Sequence, residues 1–197
     1  MSTTTFYNFN ANQLIDRYNN AEMTSLHKLF LKYLPKDSTV LDIGFGSGRD
    51  LQFLKDNDYT IWGIDPSEQF VQNTQNRFPD ISNHFIQSAV PFSIENSPFP
   101  VKFDAIIAIA MWMHLKKNQY EDVIKSIVSV AKEKATIIIS YSEGKRADDE
   151  RYFEDVDLDC IIRIFQQYNF ELVETITTED SLNRDTLTWS TVILKND

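Results

Sequence analysis

The sequence predicts an α/β fold in which a mostly parallel, seven-stranded sheet carries helices on both faces and its last strand runs antiparallel. Short β-branched or aromatic runs alternate with longer helix-compatible segments, which is typical of a parallel sheet. The middle runs, such as residues 105–109 and 137–139, are apolar at successive positions, which indicates strands buried from both sides. Only residues 178–185 separate the last two strand-like runs, too few for a crossover helix.

The elements follow from this alternation. The first five strands are predicted at residues 39–43, 60–64, 83–86, 103–109 and 135–141. Helices are predicted at residues 49–56, 66–77, 118–132 and 156–168. Residues 170–177 and 186–194 should form an antiparallel hairpin at the sheet edge. Helices at residues 10–19 and 22–34 precede the first strand. The chain is therefore expected to be one domain, with N-terminal helices in residues 1–36 across the carboxyl edge of the core formed by residues 37–197.

Composition and charge exclude several classes of function. The 197 residues include 19 Lys and Arg against 29 Asp and Glu, a net charge of −10 that disfavours nucleic acid as a partner. No run approaches the ~18 apolar residues of a membrane span, and residues 1–5 lack a signal-peptide pattern, so we expect no membrane partner and a cytoplasmic protein. Cys160 is the single cysteine, and the three histidines are far apart in sequence, which predicts neither a disulfide nor a metal site. The oligomeric state stays open.

Three of the five glycines lie within five residues, and this concentration predicts a ligand-binding turn. Gly44, Gly46 and Gly48 directly follow a strand that contains Asp42. Alternate glycines let the backbone turn sharply and let a ligand approach the N–H groups of the following helix. A dinucleotide fingerprint needs a third glycine at position 49, where Arg49 stands, and the Gly-Lys-Ser/Thr end of a Walker loop is missing. A tight turn for packing alone is the less favoured alternative.

The pattern Asp42-x-Gly44-x-Gly46-x-Gly48 resembles the first motif of class I methyltransferases that depend on S-adenosyl-L-methionine (SAM). The resemblance implies a Rossmann-like fold and a loop that bends around the adenosine and methionine parts of SAM. It also implies that the acid at the strand end positions the methionyl amino group. The cofactor residues carried over from this motif are Asp42, Gly44, Phe45, Gly46 and Gly48.

The second and third strands add to the resemblance. Asp65 ends the second strand, where the family places the acid that binds the ribose hydroxyls, with Pro66 beside it. The competing interpretation is a helix N-cap, because Pro66 and Glu68 fit the first turn of a helix. After the third strand the family often presents an acid to adenine. Here Ser88 and Ala89 occupy that position, so we assign the adenine contact to these two residues.

The end of the fourth strand resembles the fourth motif of the small-molecule type and implies a cofactor contact at Ala110. Enzymes that methylate adenine or glutamine amides usually carry an Asn/Asp-Pro-Pro-aromatic motif here, and its absence disfavours methylation of DNA amino groups. Cytosine C5 methylation needs a cysteine nucleophile in a substrate loop, whereas Cys160 lies in an apolar helical run, which disfavours that reaction too. Trp112 and His114 should line the acceptor pocket. Because an unperturbed histidine has a pKa near ~6.5, His114 is the best candidate for a catalytic base, and a packing or capping role is equally compatible.

Two later segments should reach the same carboxyl edge. Tyr141 ends the fifth strand and joins His114 as a candidate catalytic residue, while Arg146 and Arg184 are candidate substrate contacts. A solvated hairpin loop is the alternative for Arg184.

The predicted function is an enzyme, a metal-independent SAM-dependent methyltransferase that transfers a methyl group in line to O, N or S of a small molecule. One alternative is a catalytically silent SAM-binding partner protein, motivated by the missing acid near Ser88. The other is a nicotinamide-dependent reductase of related fold, which Arg49 disfavours.

Overall fold

The computed structural model describes residues 2–144, 150–180 and 186–196. Strands and helices alternate through the middle of the chain, after two N-terminal helices and before a final hairpin. The helices are α1 (Thr3–Asn19), α2 (Thr24–Tyr33), α3 (Arg49–Asp56), α4 (Glu68–Arg77), α5 (Tyr120–Val130) and α6 (Leu158–Gln166). The strands are β1 (Thr39–Ile43), β2 (Thr60–Asp65), β3 (Phe85–Gln87), β4 (Phe103–Ile109), β5 (Ala131–Glu143), β6 (Phe170–Glu179) and β7 (Thr188–Asn196). Short 3₁₀ turns cover Pro79–His84, Trp112–His114 and Lys117–Gln119.

All seven strands form one sheet, in the order β3-β2-β1-β4-β5-β7-β6. Neighbours among β1 to β5 pair in parallel, whereas β7 runs antiparallel to both β5 and β6. The predicted Rossmann-like α/β fold with an antiparallel last strand is therefore confirmed. The hairpin closes one edge of the sheet, with β6 outermost.

Successive residues of the middle strands pack into different apolar layers. Ile106 and Ile137 pack in the layer that contains the buried side chains of α5 and α6. Ile107 and Ile138 pack in the opposite layer, with buried side chains of α1 to α4. Because side chains alternate across a strand, a sheet covered on both faces needs apolar residues at every position. This is why these strands are continuously apolar in the sequence.

Several boundaries differ from the prediction. α1 begins at Thr3 rather than at residue 10, and the hydroxyl of Ser2 caps it by accepting the N–H of Thr5 at 3.1 Å. β5 begins at Ala131, whereas the apolar run that predicts it starts at residue 135, because residues 132–134 are exposed. No helix in the described residues is both long and apolar enough to span a bilayer.

Candidate cofactor and acceptor site

A cavity of about 1080 Å³ lies at the carboxyl ends of β1, β2, β4 and β5. In open α/β sheets this edge is where ligands bind. Of the predicted cofactor residues, all but Gly48 line the cavity, namely Asp42, Gly44, Phe45, Gly46, Asp65, Pro66, Ser88, Ala89 and Ala110. The side chains of α1 and α2 form the opposite wall, through residues that include Thr3, Thr4, Tyr7, Tyr18 and Leu26.

The glycine loop turns through left-handed backbone. The φ angles of Gly44 and Gly46 are +76° and +53°, a region that residues with a side chain rarely adopt. The N–H of Gly44 donates to the carbonyl of Ile64 at 2.7 Å, which ties the start of the loop to β2. Gly48 has a φ of +72° and precedes the first residue of α3, away from the cavity lining. Its left-handed backbone serves the turn into α3, and an added Cβ would also lie only 3.0 Å from Thr74 Oγ1.

Asp65 joins the loop to the end of β2. Its Oδ2 accepts the N–H of Gly46 at 2.9 Å, and its Oδ1 accepts the N–H of Ser67 at 2.8 Å. Burial raises the pKa of this carboxyl to about 6, against the opposing effect of the two backbone N–H groups. The N-cap of α4 is Ser67, whose hydroxyl accepts the N–H of Phe70 at 3.3 Å. Asp65 is therefore not the helix cap that the sequence offered as the alternative.

Asp42 and Asp50 also line the cavity, and their surroundings differ. Asp42 is 2% exposed, and burial, together with the negative charges of Asp50 and Asp65, holds its pKa well above the usual range. Burial alone would raise the pKa of Asp50, but the Arg49 guanidinium and His27 bring it below the usual range. Arg49 donates to both oxygens of Asp50, from Nε at 3.0 Å and from Nη2 at 2.8 Å. Arg49 therefore pairs with Asp50 and makes no such hydrogen-bonded pair with Asp42.

His114 lies at the other end of the cavity, in contact with Tyr7 of helix α1. His114 Nδ1 lies 2.7 Å from the carbonyl of Tyr152, which can only accept, so Nδ1 carries the hydrogen. In the neutral ring Nε2 therefore accepts from the hydroxyl of Tyr7, 3.0 Å away. The same hydroxyl accepts from Arg151 Nη1 at 3.0 Å, and the guanidinium also lies over the rings of Tyr7 and Phe153. Burial raises the pKa of the Tyr7 phenol.

Two predicted residues lie in the core instead of the cavity. Trp112 is fully buried and packs edge-on against Tyr120 and Phe165. Tyr141 is 2% exposed and belongs to the apolar layer beneath α5 and α6. Its neighbours Ser140 and Ser142 line the cavity, so strand alternation turns Tyr141 to the opposite face. The structure thus corrects the expected roles of Trp112 as a substrate contact and of Tyr141 as a catalytic residue.

The sequence analysis missed several residues of the acceptor end. Tyr7 lies ahead of the predicted start of the first helix, and nothing near Arg151 marks it. Ser140, Ser142 and Thr191 line the cavity from β5 and β7. The two serines were within reach of prediction, because counting alternate positions from the buried Ile137 and Ile139 assigns them to the other face of the strand. Arg146 and Arg184, the remaining predicted substrate contacts, lie outside the described residues.

The glycine loop, the acid ending β2 and the antiparallel last strand together define a class I methyltransferase-like protein. A family model described as a methyltransferase domain matches residues 15–175. The chain belongs to this methyltransferase family, which confirms the resemblance carried by the first motif. A search of curated proteins found no significant match.

Solved structures with the same fold include enzymes of different reactions. One is 1,6-didemethyltoxoflavin-N1-methyltransferase of Burkholderia thailandensis with bound S-adenosylhomocysteine (SAH), with a TM-score of 0.73, 14% identity, and coverage of 98% of this chain and 87% of that chain. Magnesium protoporphyrin IX methyltransferase of Synechocystis PCC 6803 with bound SAM has a TM-score of 0.63 and 17% identity, and the match covers 94% of this chain and 79% of that chain. The [4+2]-cyclase SpnF has a TM-score of 0.65 and 16% identity, and the match covers 87% of this chain and 80% of that chain. At these identities the likeness shows the fold.

Proposed function

We propose that the chain is a SAM-dependent methyltransferase that transfers a methyl group to O, N or S of a small molecule. The observation that carries this proposal is the position of Asp65, a buried carboxyl held by the N–H groups of Gly46 and Ser67 at the cavity wall. Membership of the methyltransferase family supports it, as do structural neighbours with bound SAM or SAH.

The carboxyl groups and the glycine loop of the cavity fit this cofactor. Each oxygen of ionised Asp65 accepts one backbone N–H and keeps a further lone pair, so the carboxylate is able to accept the two hydroxyls of a ribose. Burial disfavours the charged form of Asp42, and the ammonium group of a ligand placed beside it would favour that charged form. Gly44 and Gly46 line the cavity without a side chain, so a ligand is able to approach their backbone closely.

The size and lining of the cavity support a small acceptor. Its volume of about 1080 Å³ is slightly above the ~300–1,000 Å³ typical of pockets for one small ligand, and leaves room for an acceptor beside the cofactor. Beyond the cofactor residues it is lined by the hydroxyl-bearing residues Ser140, Ser142 and Thr191, on neighbouring strands of one sheet face. A polar acceptor would find hydrogen-bonding partners there.

SAM held in this cavity would supply an activated methyl group, and the chain would align the acceptor and remove its proton. His114 and Tyr7 are suited to the second task. A proton from the acceptor moves to the Tyr7 oxygen while the Tyr7 hydroxyl passes its own proton to His114 Nε2. The resulting imidazolium keeps its bond from Nδ1 to the Tyr152 carbonyl. His114 is thus the proposed base, and Tyr7 the group that touches the acceptor.

The test is methyl transfer from SAM with a labelled methyl carbon to a panel of phenols, carboxylates, amines and thiols. Formation of SAH and a labelled product with one class of acceptor is expected, together with its loss in Asp65→Ala. An Asp104→Ala variant serves as the control, because Asp104 interacts with Lys132 at the opposite end of β4. SAM binding without turnover across the panel would contradict methyl transfer and favour a SAM-binding partner protein.

A further inference from the structure

Arg151 lies directly beside the proposed proton relay. Its Nη1 donates to the Tyr7 hydroxyl at 3.0 Å, and that hydroxyl lies 3.0 Å from His114 Nε2. The guanidinium also lies over three aromatic rings, with its central carbon 5.2 Å from the ring centroid of Phe6, 5.5 Å from that of Tyr7 and 4.9 Å from that of Phe153. Arg151, Tyr7 and His114 all line the cavity. A permanent positive charge therefore stands at the oxygen that we expect to touch the acceptor.

Arg151 favours negative charge at this oxygen. Arginine has only donors, so the Tyr7 oxygen accepts from it, and the hydroxyl hydrogen is left to point at His114 Nε2. Burial raises the pKa of the Tyr7 phenol, whereas the charge and the hydrogen bond of Arg151 lower it. The charge of Asp65 raises this pKa by less than Arg151 lowers it. An anion that lies against the Tyr7 oxygen would be stabilised by the same guanidinium.

Two further carboxyl groups of the cavity wall accept hydrogen bonds from protein donors. Arg49 donates to both oxygens of Asp50. Trp189 Nε1 donates to Oδ1 of Asp180 at 2.6 Å. Because these donors compensate part of the negative charge, the two carboxyls repel an anionic acceptor less than carboxyls without donors would.

The relay and the guanidinium together distinguish acceptors by the charge that remains after a proton is removed. A phenol or a thiol that gives its proton to the relay becomes an anion, which a neighbouring guanidinium stabilises. An ammonium group that gives up its proton becomes neutral and gains no such stabilisation, and the guanidinium repels it beforehand. A carboxylic acid is already ionised at neutral pH and needs no base. Phenols and thiols are therefore the acceptors that use both groups.

We propose that the acceptor is a phenol or a thiol, and that Arg151 selects it by stabilising the deprotonated oxygen or sulfur. The inference rests on the proposed function, which places the acceptor against Tyr7. The O–H or S–H bond of the acceptor breaks, its proton moves to the Tyr7 oxygen, and the Tyr7 proton moves to His114 Nε2. The electron pair left on the acceptor forms the bond to the methyl carbon, and the electrons of the broken carbon–sulfur bond stay on the sulfur of SAH. Arg151 is thus a specificity-determining residue and not the base.

The first experiment compares acceptors that share a ring and differ at the accepting atom, namely phenol, thiophenol, aniline and benzylamine. With methyl-labelled SAM, phenol and thiophenol should be methylated in preference to the two amines. Arg151→Gln should lower kcat/KM for phenol about tenfold or more, as expected for loss of an interaction with a charged group, and should affect aniline far less. Arg151→Lys should restore part of the loss, since it keeps the positive charge. Arg163→Gln is the matched control, because Arg163 is exposed on α6 and does not line the cavity.

The second experiment needs no turnover. 4-Nitrophenol absorbs at different wavelengths as a phenol and as a phenolate, so a difference spectrum with the SAH-saturated chain reports the ionised fraction of the bound probe. At one fixed pH, this fraction should be higher on the wild type than in free solution, and it should fall in Arg151→Gln but not in Arg163→Gln. A purely structural role of Arg151 would weaken binding of the probe and leave its ionised fraction unchanged.

The outcomes separate this inference from the proposed function. Preferred methylation of aniline or benzylamine would overturn the inference and leave the methyltransferase in place. A bound 4-nitrophenol that stays protonated on the wild type would overturn it too, as would an equal fractional loss with phenol and aniline in Arg151→Gln. Ionisation of bound 4-nitrophenol without methyl transfer to any acceptor would contradict the proposed function and still support a site selective for acids.

Discussion

Lowering the pH from 7 to 5 should weaken the binding of SAH about tenfold through the protonation of Asp65. The ionised carboxylate accepts hydrogen bonds at both oxygens, whereas the protonated acid gives up one accepting position. Because burial raises the pKa of Asp65 to about 6, the group changes its charge within a pH range that the folded chain should tolerate.

The magnitude follows from the population of the ionised form. With a pKa of about 6, roughly nine-tenths of Asp65 is ionised at pH 7 and roughly one-tenth at pH 5. If only the ionised form binds, the affinity falls as the pH drops through the pKa, by about a factor of ten over these two units. The α-carboxyl and α-amino groups of SAH titrate near ~3.5 and ~7.8, outside most of this window.

The assay is calorimetric titration with SAH at pH 5, 6 and 7, on the wild type and on Asp65→Asn. The variant removes the titration of Asp65 and retains Asp42, whose raised pKa is partly due to the charge of Asp65. The difference between the two proteins therefore reports Asp65 together with its effect on Asp42. The variant should bind more weakly at pH 7 and should lose less affinity on acidification. An equal loss of affinity in both proteins between pH 7 and pH 5 would refute the reasoning.

Three other predictions concern the ligand-free chain and the shape of the cavity. The raised pKa of Asp65 means that its ionisation costs stability as the pH rises from about 4 to about 6. The free energy of unfolding of Asp65→Asn, measured with urea, should therefore gain about 2 kcal/mol relative to the wild type between pH 4 and pH 7, and a constant difference would contradict this. His114 should show the Nδ1–H tautomer in ¹⁵N NMR, because Nδ1 donates to the Tyr152 carbonyl; an Nε2–H signal would rule out the proposed relay. In Gly63→Ala the new Cβ would lie 2.5 Å from Phe45 Cδ1, so overpacking should lower the free energy of unfolding by about 1–3 kcal/mol. The displaced Phe45, which lines the cavity, should also weaken SAH binding. Wild-type stability and wild-type affinity in this variant would contradict the prediction.

The sheet could be predicted because its determinants are local. The apolar runs at β4 and β5 indicate strands covered on both faces, and the short link before β7 indicates an antiparallel pair with β6. The start of α1 could not be predicted, because its first turns carry few apolar residues at helical spacing. Their contacts are long-range instead, such as Tyr7 with His114 and Thr3 with Tyr152. The helix there is held by the walls of the cavity rather than by its own pattern.

The contrast between local and long-range determinants also explains which residues of the site could be predicted. The glycine loop and Asp65 could be found because the turn after β1 and the end of β2 fix their positions within a few residues. Trp112 and Tyr141 lie near the carboxyl edge of the sheet, as predicted, but both side chains are buried in the core. A shift of one position along the chain decides whether a side chain faces the cavity or the core. Motif position alone does not determine that orientation. Arg151 reaches the site from residues 150–157, which form neither a strand nor a helix that would predict their course.

The most direct test of the account is calorimetric titration of the wild type and of Asp65→Ala with SAM and with SAH, beside NADH as a comparison ligand. The account predicts saturable binding of SAM and SAH by the wild type, no binding of NADH, and loss of SAM and SAH binding in the variant. Absence of heat with SAM and SAH in folded, cofactor-free protein would contradict the cofactor assignment. Undiminished binding by Asp65→Ala would contradict the role of Asp65 at the centre of the site.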